Sequence, residues 1–192
     1  MKKILSTAFA LVAVLLGSQV ASAQISFGAG PAVRIFFEGG NNPAPIYGVQ
    51  LNFEDCNRVS DYFGYSAGLD FGTYRKKDFF GKEGLTEMYL DMPIRVKLYL
   101  PISDDFQLFL FGGPVPSVCI GSHVVAESTK ENRFAEGSDY TRFDVLAGGG
   151  IGVELAERFR LSLGYDHGLL DRNKSDVQLK TAAAKFTVSY LF

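Results

Sequence analysis

Three features of the chain predict an all-β protein, an eight-stranded antiparallel up-and-down transmembrane β-barrel. Apolar and polar residues alternate with a period of two almost throughout, the mark of strands with two unlike faces. The alternating segments number eight, and strands of about ten residues or more are long enough to cross a bilayer when tilted. The connections between them are tight at one end and mostly longer at the other, as in outer-membrane barrels. Composition agrees. The 21 Gly, 17 Phe and 9 Tyr suit strands better than helices, and there is no Trp.

The chain begins with a segment of a different kind. Met1-Lys2-Lys3 is a short basic start, Ile4 to Gly17 is mostly apolar, and Ala21-Ser22-Ala23 offers a small-residue cleavage site before Gln24. This three-part pattern predicts a secretory signal peptide over 1–23, leaving 24–192 as one barrel domain. The apolar run is shorter than the roughly 20 residues of a spanning helix, and no Cys follows the site to take a lipid. Removing 1–23 takes away Lys2 and Lys3 and no acid, so the net charge falls from −2 to −4. That balance gives no basic face for nucleic acid.

Taken in order, the expected strands are 25–37, 46–55, 63–75, 86–100, 106–119, 141–155, 159–170 and 179–192. In the first, Ile25, Phe27, Ala29, Val33, Ile35 and Phe37 oppose Ser26, Gly28, Gly30, Ala32 and Arg34. In the fourth, Met88 to Leu100 at even positions oppose Tyr89, Asp91, Pro93, Arg95, Lys97 and Tyr99. The seventh sets Phe159, Leu161, Leu163 and Tyr165 against Arg160, Ser162, Gly164 and Asp166. The tight connections are Cys56 to Tyr62, Pro101 to Asp105 and Ala156 to Arg158. The longest is Ile120 to Tyr140, whose charges (Glu127, Lys130, Glu131, Arg133, Glu136 and Asp139) suit a solvated or partner-binding loop.

The two faces decide which side meets lipid. The polar face is rich in small residues such as Gly28, Gly30, Ser66, Gly68, Gly148, Gly150, Gly152 and Gly164, which fit a crowded interior. A soluble barrel would instead turn the apolar face inward. The charges on the polar face balance: Arg34, Arg95, Lys97, Arg160 and Lys185 against Asp70, Asp91, Asp144, Glu154 and Asp166. They are expected to pair inside a narrow lumen, because a lone buried ion is costly. Phe37, Tyr47, Phe63, Tyr74, Tyr99, Phe106, Phe143, Phe159 and Phe192 lie near strand ends, where interface girdles are expected.

Several runs resemble one family, in order along the mature chain. Met88-Tyr89-Leu90-Asp91-Met92-Pro93-Ile94-Arg95-Val96-Lys97-Leu98-Tyr99 is similar to the "YLEIPLLLKY" strand of the PorT-like outer-membrane β-barrel family. Phe109 to Pro114 resembles its following "FAGP" segment, and Asp144 to Glu154 its Gly-rich sixth strand. Tyr165 to Asp171 resembles its "YSYGLLD" end of strand seven. The resemblance implies an eight-stranded barrel in a Bacteroidetes-type outer membrane, inserted by the barrel-insertion machinery and surrounded by outer-membrane lipid. Phe186, Val188, Tyr190 and Phe192 resemble the terminal-strand signal that this machinery reads.

Residues that invite a chemical reading have plainer ones. His167 follows Asp166, but neighbours on a strand point to opposite faces and cannot cooperate. Ser122 and His123 share a loop with no further partner. Gly148-Gly149-Gly150-Ile151-Gly152 lies within one strand, whereas a phosphate-binding loop leads from a strand into a helix. Close packing explains it better. Pro31, Pro93, Pro114 and Pro116 fall where strands bulge or approach a rim. Cys56 and Cys119 are expected as free thiols. Two histidines without a cluster give no metal site, and no cofactor is expected. The function expected is that of a non-enzymatic structural or partner-binding envelope protein with a side-chain-filled lumen, meeting an envelope or extracellular partner at its loops. A transporter or narrow pore for small solutes is the second reading, and an outer-membrane lipid-modifying enzyme the third.

Overall fold

The computed structural model describes residues 23–39, 42–77, 84–103, 105–126, 129–132, 134, 140–173 and 178–192. Of the expected signal peptide only Ala23 falls among them, as the first residue of β1 (Ala23–Glu38). Nine further strands follow: β2 (Asn42–Ser60), β3 (Phe63–Lys77), β4 (Gly84–Asp91), β5 (Ile94–Ser103), β6 (Phe106–Ala126), β7 (Thr129–Asn132), β8 (Phe143–Leu155), β9 (Phe159–Gly168) and β10 (Leu179–Leu191). β4 and β5 are two halves of one stave, since both pair with β3 and with β6. β7 folds back on the end of β6. The remaining antiparallel pairings run β1–β2, β2–β3, β6–β8, β8–β9, β9–β10 and β10–β1. The ladder returns to its start, so the eight staves form an up-and-down barrel without a free edge.

Alternation sets the two faces as expected. Leu98, Leu100, Ile151, Leu163 and Val188 stand on the outside, where lipid replaces water as the partner of apolar side chains. Inside, Phe109 and Phe111 lie over bare backbone. A Cβ on Gly152 would stand 2.2 Å from Phe109 Cζ, and one on Gly150 2.6 Å from Phe111 Cζ. The glycine run is therefore a floor for two aromatic rings. At the turn between β8 and β9, Ala156 and Glu157 have φ of 49° and 55°. Both central residues are left-handed, the geometry whose twist suits a tight hairpin, and Arg158 N–H closes it onto the Leu155 carbonyl at 3.1 Å.

Four expectations need correction. Cys56 to Tyr62 is not a turn: β2 runs to Ser60, leaving only Asp61 and Tyr62 outside a strand. The polar run there belongs to a strand end, where the outward face no longer needs to be apolar. Likewise β6 continues to Ala126 and β7 pairs with it, shortening the loop expected over 120–140. Glu127, Arg133, Glu136 and Asp139 lie outside the described residues. Tyr74 and Tyr99 do not join a girdle; both are buried in the lumen. They share the parity of Asp70 and of Lys97, and parity outranks nearness to a strand end.

Pro93 now has a physical account. It sits between β4 and β5 on the lumen face, opposite Gly68. Gly68 N–H donates to the Pro93 carbonyl at 2.9 Å. A Cβ on Gly68 would stand 2.7 Å from the Phe53 carbonyl oxygen and in contact with the Pro93 ring at 3.4 Å, so the glycine fits chiefly the backbone of β2.

Candidate functional site

All ten lumen charges expected from parity are buried, from Arg34 at 0% exposure to Lys185 at 8%. They fall into three layers between the loop end and the turn end. In the layer towards the loops, Arg34 from β1 donates to Asp91 from β4 at 3.2 Å and to Ser117 Oγ at 2.6 Å. Its guanidinium lies 3.7 Å from the Tyr89 ring centroid. Asp144 accepts from Thr181 Oγ1 at 2.6 Å and from the Val145 N–H at 2.8 Å.

The middle layer crosses the lumen. Lys185 from β10 donates to Asp70 and to Asp91, each at 2.8 Å. Arg95 from β5 meets both oxygens of Asp166 on β9 at 2.7 Å through Nη2. Its Nη1 donates to the carbonyls of Gly113 at 2.9 Å and Gly148 at 3.2 Å. One guanidinium thus ties four staves together.

In the layer towards the turns, Lys97 donates to Glu54 at 2.8 Å. Arg160 bridges Glu54 at 3.1 Å and Glu154 at 2.8 Å. Arg58 takes the other Glu154 oxygen at 2.5 Å and lies 4.3 Å from the Tyr99 ring centroid. Cys56 Sγ sits among them, 3.0 Å from Arg160 Nη1 and 3.3 Å from Lys97 Nζ. Both cysteines are buried and unbridged.

Four members of this network were not among the ten. Glu54 and Glu87 carry acid, Arg58 and Arg172 carry positive charge, so the balance is kept. Glu54 shares parity with Gln50 and Asn52 on β2, and Glu87 with Tyr89 and Asp91 on β4; alternation contained both. Arg58 was hidden by ending its strand too early. Arg172 lies outside the strands and no periodicity reaches it. Its Nη1 donates to Tyr89 OH at 2.6 Å and its Nε to the Thr141 carbonyl at 3.2 Å. Tyr89 OH in turn donates to Glu87, which also accepts from Ser122 Oγ at 2.8 Å. Arg172 is thereby drawn down into the loop end of the lumen.

What remains open inside is small. A cavity of about 60 Å³ is bordered by Asp70, Arg95, Lys97, Arg160, Asp166 and Lys185, among others. A water occupies about 30 Å³ in the liquid, so the space suits a few waters and no solute of metabolite size. The residues that invited a catalytic reading stay apart. Ser122 is buried on Glu87 while His123 is exposed on the opposite face. Asp166 is held by Arg95, while the His167 ring stacks at 5.9 Å from Phe37. Among the described residues, no three His, Cys, Asp or Glu side chains gather into a metal-holding group. Phe186, Val188, Tyr190 and Phe192, with the terminal-strand pattern, all face outward, and Phe192 is 76% exposed.

Comparison with known proteins agrees with this architecture. No curated protein sequence matches the chain. Among solved structures, the attachment invasion locus protein Ail of Yersinia pestis is 14% identical with a TM-score of 0.54, over 89% of this chain and 99% of Ail. Neisserial surface protein A is 12% identical with a TM-score of 0.58, over 88% of this chain and 97% of that one. At such identities the likeness is one of fold. The model of the outer membrane protein beta-barrel domain matches residues 7–192. The closed ladder and its apolar outer walls agree with that match, and the chain belongs to the outer membrane protein β-barrel domain family.

Proposed function

We propose that the protein is a plugged outer-membrane barrel of the PorT-like kind. It serves the envelope as a structural or partner-binding element through its loop end, without enzymatic activity. The observation that carries this reading is the paired network from Arg34 to Arg160, which borders a lumen cavity of about 60 Å³. A narrow barrel filled by its own side chains transmits neither solutes nor a steady ion current. The separation of His123 from Ser122, and of His167 from Asp166, supports a non-enzymatic role. In this reading residues 1–23 are removed at export, the Phe186 to Phe192 pattern guides insertion, and the loop end faces outward. The test is single-channel recording of the mature chain in planar bilayers. Silence apart from brief, small openings is expected; a steady, large conductance would overturn the plug and favour transport.

A further inference from the structure

We infer that this barrel has a built-in opening point, the wall between Met92–Arg95 and Gly113–Pro116, and that Arg95 is its latch. Partner pairs are registered up to Asp91↔Ser117 on one side and from Val96↔Gly112 on the other, and the stretch between them is skipped. Prolines account for the gap. Met92 N–H donates to the Pro116 carbonyl at 2.8 Å, but Pro116 has no N–H to return. The Ile94 carbonyl oxygen also faces β6, 2.2 Å from where a Cβ on Gly113 would stand, and Pro114, next along, has no N–H to offer it. Pro93 accepts from Gly68 on the other edge of the stave and returns nothing. Two ladder donors are missing within this short length of wall and a third on the other edge of the same stave, at membrane depth, where water cannot replace them.

Side chains stand in for the missing ladder. Arg95 reaches from the lumen onto the carbonyls of Gly113 and Gly148 and is anchored beyond them on Asp166. Gly113 itself has φ of +153°, a backbone state that a side chain would strain. Directly behind the seam lies the lumen cavity, whose border includes Pro93, Arg95, Phe111 and Asp166. Release of Arg95 would therefore join that cavity to the membrane-facing surface through a wall already short of hydrogen bonds. A shorter gap beside Pro31 interrupts the β1–β10 wall, between Ala29↔Val188 and Ala32↔Lys185, whereas β1 and β2 stay in register from Ala23↔Asn57 to Glu38↔Asn42.

Amide hydrogen exchange of the mature chain, folded in phospholipid nanodiscs, tests this. Amides of Met92, Ile94 and Val96, which face β6, are expected to exchange roughly tenfold faster than those of Ala32, Arg34 and Gln50, because local opening follows the weakest hydrogen bonding. Arg95→Gln should speed the seam several-fold further and leave β1–β2 unchanged. The double variant Pro114→Ala, Pro116→Ala returns two donors and should slow the seam by about fivefold. Equal native rates in the two walls would overturn the opening point. An Arg95→Gln effect spread evenly over all staves would overturn the latch. Should that variant not fold, an unchanged seam in the proline double variant overturns the proposal by itself.

Discussion

The β1–β2 wall and the β4/β5–β6 wall of the same barrel are held by different means. In the first, sixteen consecutive pairs run without a shift, and the lumen side carries Arg34 and Glu54 on an unbroken ladder. In the second, the ladder is broken at Met92-Pro93 and shifted at Met88/Tyr89, where Ile120 is left without a partner. The breaks lie beside Asp91 and Arg95, which bond across the lumen to Lys185 and Asp166. Where backbone bonding is complete, lumen side chains have only to fit. Where it is interrupted, they carry the cohesion, and their loss should cost more.

Arg95→Ala should give the largest effect, a loss of roughly 3–5 kcal/mol, because it strands a buried Asp166 and uncovers two carbonyls. Urea unfolding in lipid vesicles, followed by the heat-sensitive gel shift of barrels, measures it. A loss of about 1 kcal/mol or less would mean that water screens the pair. Arg172→Ala removes a charged hydrogen bond to Tyr89 at the loop end, and a loss of about 1.5–3 kcal/mol is expected in the same assay. That variant should also be cut sooner by protease in the segment around residue 172. Gly150→Val forces a side chain against the Leu163 carbonyl, 2.1 Å from where its Cβ would stand, and against Phe111, and should cost about 1–3 kcal/mol by overpacking; an unchanged midpoint would show that both the wall and the ring yield there. The smallest change belongs to the regular wall. Gln50→Ala loses one neutral hydrogen bond to Thr187, 2.7 Å long, and about 1 kcal/mol. Equal losses for Gln50→Ala and Arg95→Ala would erase the contrast between the walls.

Much of this was legible in the sequence, because a period of two is a statement about faces. Alternation placed Arg34, Asp70, Asp91, Arg95, Lys97, Asp144, Glu154, Arg160, Asp166 and Lys185 in the lumen without any knowledge of partners. Applied more strictly, it would also have placed Glu54, Glu87, Tyr74 and Tyr99 there. Partners are another matter. That Arg95 meets Asp166 and not Asp70 depends on how far each stave is shifted against the next, which a single strand does not record. The fit of Pro93 over Gly68 depends on the same shift. Arg172 was out of reach for a different reason: its place is set by Tyr89 and by the Thr141 carbonyl, not by a repeat.

Sequence separation gives the ion network a further meaning. Lys185 meets Asp70 across 115 positions and Asp91 across 94, while Arg58 meets Glu154 across 96 and Arg160 meets Glu54 across 106. None of these pairs can form in a hairpin or in a half-built sheet. Until the last stave docks, Lys185 has no carboxylate and Asp70 no ammonium, so a partly assembled chain carries bare ions at the membrane. Closure neutralises them together. Assembly is accordingly expected to be all-or-none, with slow, long-range contacts setting its pace, and with the docking of β10 as the step that supplies Lys185 to Asp70 and Asp91.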